Sequence, residues 1–133
     1  MSTILSIAFA GVIGVLLRYF LSAWIDERVD ERVSGYIPWG TLLVNLIGCF
    51  AAGFLFHFLA GRSDAPQSQA DTVLRIALMT GFLGGFTTFS AYSVQTLTMF
   101  RDGQWVWAAL NIGISNIGGI ALAWAGYTLS RSL

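Results

Sequence analysis

The segment Thr80 to Ser93 reads TGFLGGFTTFSAYS and crowds Gly84-Gly85 and Thr87-Thr88 into an otherwise apolar stretch. A helix interior tolerates this poorly, because each glycine costs about 1 kcal/mol relative to alanine and threonine hydroxyls compete for backbone partners. The segment therefore predicts a break. A broken helix presents bare carbonyls on one half and bare amides on the other, groups that bind cations and anions respectively. A kinked but continuous helix, its threonines bonded back to their own carbonyls, is the alternative. Just beyond, Phe89 and Tyr92 stand three residues apart, so both rings project from one helix face. Aromatic edges are positive and faces negative. Two edges could coordinate a small anion without formal positive charge, although core packing explains the same spacing.

Polar side chains elsewhere would extend such a site. Thr41 and Asn45 are four apart, as are Asn111 and Ser115, so each pair falls on one helix face. Their hydroxyls and amides could replace the water that an anion sheds, or could join helices to one another. Asn116 points about 100° away from Ser115 and reads as structural. Arg18 lies deep in an apolar run, where an arginine is expensive unless it snorkels or lines a wet vestibule. There it would concentrate anions; a helix-end anchor is the alternative. His57 reads as an interfacial residue and the single cysteine, Cys49, as a small buried filler.

The elements that must hold these residues are four membrane-crossing helices. Of 133 residues, 56% are hydrophobic and 11% charged, with a mean hydropathy of +0.70, too apolar for an ordinary soluble domain. A span needs about 20 apolar residues, and stretches at about 3–25, 38–60, 73–99 and 105–129 qualify. They make one transmembrane domain of the whole chain. The first stretch is too long for a signal peptide's apolar core and lacks a basic flank, so it reads as a retained helix. Asp26 to Ile37, which includes the tandem DERVDERV, reads as a solvated linker closing on Pro38, and Gly61 to Asp71 as a polar loop. Arg101 to Gln104 is so short that the third and fourth helices must form an antiparallel hairpin.

Seven arginines balance seven acids and lysine is absent. Nothing resembles the basic stripe that a phosphate backbone requires, which argues against nucleic acid as a partner. The cytoplasmic side of a membrane protein usually collects arginine. Here Arg62, Arg75 and Arg131 fall on one side and Arg28, Arg32 and Arg101 on the other. That balance predicts dual topology, with copies inserted both ways and paired head to tail. No acid lies inside a predicted span, which disfavours a proton-coupled exporter of organic cations, the principal alternative. No nucleophile stands with a base and an orienting partner, and no metal cluster or phosphate loop is present, so an enzyme is not expected. A non-conducting assembly subunit is the remaining class.

Three stretches together resemble the small dual-topology fluoride channels, the Fluc or CrcB family. They are Gly11-x-x-Gly14-x-x-x-Arg18-Tyr19, Pro38-Trp39-Gly40-Thr41-Leu42-x-x-Asn45-x-x-Gly48, and Gly81-Phe82-x-Gly84-Gly85-x-Thr87-Thr88-Phe89-Ser90. The likeness runs over nearly the whole chain. It implies an antiparallel homodimer in a microbial inner membrane, two fluoride pores, and a central sodium ion held by backbone carbonyls. Those carbonyls would be Gly84 and Thr87. Phe89 and Tyr92 would form the aromatic anion sites, Thr41, Asn45, Asn111 and Ser115 the polar track, and Arg18 the vestibule. Tyr92 stands where the family usually has phenylalanine, and Gln95 where glutamate is common.

Overall fold

The computed structural model describes residues 2–29, 35–60 and 68–133, and among them all regular structure is helical. Four helical stretches are long and apolar enough to cross a membrane: Thr3–Arg28, Trp39–Leu59, Gln69–Arg101 and Trp105–Arg131. The first is α1 (Ser2–Arg28) and the second is α2 (Trp39–Ala60). The third comprises α3 (Gln69–Ile76), a π-helical turn (Ala77–Phe82), α4 (Leu83–Phe86) and α5 (Phe89–Arg101). The fourth comprises α6 (Trp105–Gly113), a second π-helical turn (Ile114–Gly118) and α7 (Gly119–Arg131).

Two boundaries differ from the sequence reading. Asp26, Glu27 and Arg28 belong to α1 and not to a linker. The cause is a tertiary contact: the Asp26 carboxylate accepts the Gly40 N–H at 2.8 Å. It thereby satisfies one of the orphan amides that open α2 and places negative charge at the positive end of that helix. The Arg28 guanidinium stacks 4.7 Å over the Trp24 ring, and the rest of the tandem, Asp30 to Val33, lies outside the described residues. The loop read over Gly61 to Asp71 also ends early. Ser68 and Asp71 form a reciprocal capping box that starts α3 at Gln69, a contribution of about 1 kcal/mol. Gly61 to Gln67 lie outside the described residues.

The hairpin forms as its length requires. Gly103, at φ 74°, turns the chain, while Gln104 donates to the Met99 carbonyl at 2.8 Å and closes α5. The helices pack closely through small residues, since lipid supplies no hydrophobic drive for their association. In α2, a Cβ at Gly53 would collide with the Ala123 carbonyl of α7. In α4, a Cβ at Gly85 would sit 2.6 Å from the Gly11 carbonyl of α1. The core is small, with Leu42, Val44, Leu83, Phe86 and Ala108 buried, while large apolar side chains such as Phe9, Val106 and Ile120 face outward. At the far end of α2, His57 Nδ1 lies 3.3 Å from the Ser130 hydroxyl, and its ring stands at 89° to that of Tyr127, 5.3 Å between centroids.

Candidate functional site: a helix break between two clefts

The break falls at Thr87 and Thr88, not at the glycines. Gly84 and Gly85 are helical, and the backbone turns extended at Thr87 (φ −91°, ψ 158°) and Thr88 (φ −147°, ψ 114°). One side chain from another helix holds it open. Asn45 of α2 accepts the Thr88 N–H at 2.8 Å and donates to the Thr88 carbonyl at 3.0 Å. The Thr88 hydroxyl then accepts the Ala91 N–H at 3.2 Å and caps α5.

These bonds determine which backbone groups are left bare. In a continuous helix the Gly84 carbonyl would receive the Thr88 N–H and the Thr87 carbonyl the Ala91 N–H. Both donors are diverted, one to Asn45 and the other to the Thr88 hydroxyl. The carbonyls of Gly84, Gly85, Phe86 and Thr87 thus lack their helical donors, since the Phe89 and Ser90 amides also open a new helix without helical acceptors. Gly84 is exposed, and no atom lies within 4 Å of where its Cβ would be. Carbonyl oxygens left bare in this way are ligands of the kind that a hard cation takes.

Two clefts flank the break, and Thr88 lines both. The first, of about 390 Å³, is lined by Asn45, Gly84, Phe89, Tyr92, Ser115 and Asn116 among others. Phe89 is 78% exposed, and its ring centroid lies 5.5 Å from that of Tyr92 at an interplanar angle of 47°. Both rings therefore reach one cleft, as the three-residue spacing predicts. Cys49 is only half-buried in the wall of this cleft, so the filler reading of it is corrected. The second cleft, of about 250 Å³, is lined by Arg18, Tyr19, Ser22 and Thr41. Among the described residues Arg18 has no ion pair.

The polar track divides differently from the four-residue spacing. Thr41 and Asn45 line different clefts, on either side of Thr88. Thr41 Oγ1 accepts from Gln95 Nε2 at 2.9 Å, which leaves the threonine proton free to donate. The other amide atom, Gln95 Oε1, is buried and has no partner among the described residues. Asn111 does not reach the first cleft with Ser115. It is 1% exposed and donates to Thr96 Oγ1 at 2.9 Å, and the Thr96 hydroxyl donates to the Tyr92 carbonyl at 2.8 Å. That is the interhelical role. The π-helical turn that starts at Ile114 shifts the register, so Ser115 and Asn116 face the cleft together. Asn116, read as structural from α-helical geometry, donates to Tyr92 Oη at 3.1 Å. No pattern in the sequence marks the π turn, which is why the residue was missed.

Comparison with known proteins places the chain as a whole. The family described as "CrcB-like protein, Camphor Resistance (CrcB)" matches residues 5–127. The chain belongs to the CrcB family. Among curated members, the "Fluoride-specific ion channel FluC" of Geobacter metallireducens is 39% identical over 133 residues, covering 100% of both chains. The protein of the same name from Rhizobium johnstonii is 39% identical over 127 residues, 96% of this chain and 94% of its own. That from Pseudomonas syringae pv. tomato is 36% identical over 129 residues, 97% of each. This CrcB-family chain is an all-helical, multi-pass membrane protein whose third span is broken.

Proposed function

We propose that the chain is a fluoride-selective channel through which cytoplasmic fluoride leaves by passive electrodiffusion, lowering fluoride toxicity in a microbial inner membrane. The observation that carries this reading is the break at Thr87 and Thr88, with an aromatic pair and hydroxyl donors in a cleft on one side and, in a cleft on the other, an arginine with no ion pair among the described residues. The names of the full-length relatives agree with it. Fluoride is small and strongly hydrated, so a path through lipid must replace its water with donors. Phe89 and Tyr92 ring edges, the Ser115 hydroxyl and the spare Asn45 amide proton would do this on one side, and the Thr41 hydroxyl on the other. Arg18 would raise the local anion concentration.

In this proposal the working unit is an antiparallel homodimer. Support comes from the surface of the single chain, which leaves Gly84 and Phe89 exposed beside bare carbonyls. Bare backbone at membrane depth must be covered by protein or face a polar cavity. A second copy would cover it, and the Gly84 and Thr87 carbonyls of both copies would hold one sodium ion. Such an ion would act as a structural cross-link, neutralising the carbonyl dipoles where the two breaks meet.

Fluoride efflux from vesicles containing the purified protein tests the proposal. Efflux well above that of empty vesicles is expected. A folded dimer giving no flux above that background would overturn it.

A further inference from the structure

The bond between Asn116 and Tyr92 has a direction, and the direction leaves a proton over. Asn116 Nδ2 donates both to the Ile112 carbonyl at 2.8 Å and to Tyr92 Oη at 3.1 Å. A carbonyl can only accept, so the first contact fixes which end of the amide is nitrogen, and the phenol oxygen must then be the acceptor. Both amide protons of Asn116 are used. The phenolic proton of Tyr92 is not, since among the described residues it meets no acceptor. Tyr92 and Asn116 line the same cleft as Ser115 and Phe89.

We propose that Tyr92 is an anion-binding donor in this cleft through its hydroxyl as well as its ring edge, and that Asn116 is the positioning residue that aims it. Occupying one side of Oη with a donor turns the phenolic O–H away from Asn116, and Tyr92 itself lines the cleft. The same bond pins the ring tip, so the proton and the Phe89 edge hold a fixed spacing. A free phenol in a cleft would otherwise rotate and divide its proton between water and carbonyls. The π-helical turn is the enabling element, because it brings Asn116 onto the cleft face while Asn116 keeps its bond to Ile112 in the preceding turn. The ligand chemistry is a compact anion that accepts strongly, of which fluoride is the type. The inference rests on the channel reading for its choice of ion, and its test is built so that the two fail separately.

The test uses the full-length protein in vesicles with tyrosine labelled at Cζ, the Tyr92 resonance being identified by its loss in Tyr92→Phe. Fluoride titration is expected to move that resonance saturably, and chloride to leave it in place. In Asn116→Leu, and in Asn116→Ala should the first fold poorly, the half-saturating fluoride concentration should rise roughly tenfold, the value of one oriented hydrogen bond to an ion. A Tyr92 resonance indifferent to fluoride, or one that titrates identically in the Asn116 variants, overturns the inference. Fluoride flux with an indifferent Tyr92 rejects the inference and keeps the channel. A titrating Tyr92 without flux keeps the anion site and rejects the channel.

Discussion

Asn45 grips both faces of one residue, accepting the Thr88 N–H at 2.8 Å and donating to the Thr88 carbonyl at 3.0 Å. An amide side chain is the simplest group that can do both, since it carries a donor and an acceptor in one plane. It replaces the helical bond that the Thr88 N–H forgoes, and gives a second donor to the Thr88 carbonyl, which as the cap already receives the first bond of α5.

Asn45→Ala should therefore act on the break itself. The partly buried Thr88 N–H would lose its partner, at a cost of about 1–3 kcal/mol, and the Thr88 carbonyl would lose its second donor. Thermal melting of the purified protein should show the loss, and fluoride flux should fall with it. Asn45→Asp keeps the acceptor for the Thr88 N–H and loses the donor, so it should lie between wild type and alanine in melting. An alanine variant as stable as wild type would mean that the break persists without this clamp.

The adjacent glycines separate two kinds of packing. A Cβ at Gly85 would press on the Gly11 carbonyl at 2.6 Å, a backbone atom that cannot swing away. Gly85→Ala should cost about 1–3 kcal/mol by forcing α1 and α4 apart. A Cβ at Gly84 meets nothing within 4 Å, so Gly84→Ala should leave the single chain intact and its helix slightly favoured. If a second copy covers that face, Gly84→Ala should weaken dimerisation. Size-exclusion chromatography with light scattering, alongside melting, distinguishes them. Dimers of Gly84→Ala as tight as wild type would place the partner elsewhere.

Much of this arrangement was legible in the chain. Four apolar stretches gave four spans, and the density of glycine and threonine in Thr80 to Ser93 marked the third as broken. What the segment concealed was the reason. Gly85 is there for contact with α1, and the break falls after Thr87 because Asn45, 43 residues away, bonds the Thr88 backbone in place of the helix. Asp26 was read as loop because charge usually ends a span, whereas its partner is the start of α2. Asn111 and Ser115 share a face only if the helix is regular, and the π turn at Ile114 makes it irregular. At Thr88 and Asp26 a local rule was extended across a residue that a distant partner holds, and at Ser115 across a change of helix type.

Arg18 carries a prediction about salt. It is half-buried in the smaller cleft without an ion pair among the described residues. A guanidinium that gathers anions acts through its field, which added electrolyte screens over about 10 Å at 0.1 M. Arg18→Gln should lower fluoride flux by roughly tenfold at low ionic strength, and by much less in high concentrations of an impermeant salt. A deficit unchanged by salt, accompanied by a lower melting temperature, would show an anchor and not a vestibule charge.

Orientation supplies the last prediction. By the sequence count Arg28, Arg32 and Arg101 fall on one side and Arg62, Arg75 and Arg131 on the other, a balance that should favour neither face. C-terminal reporter fusions should give signal from both compartments. Ser132→Arg with Leu133→Arg adds two positive charges to the side of the termini and should drive nearly all copies one way. Asp102→Arg with Gln104→Arg adds them to the opposite side and should drive them the other way. Either biased chain expressed alone would lack an opposed partner and should fail to confer fluoride resistance. Co-expression of the two should restore it, because antiparallel pairs could then form again. Resistance from one biased chain alone would be incompatible with an obligatory antiparallel dimer, whatever the channel's selectivity.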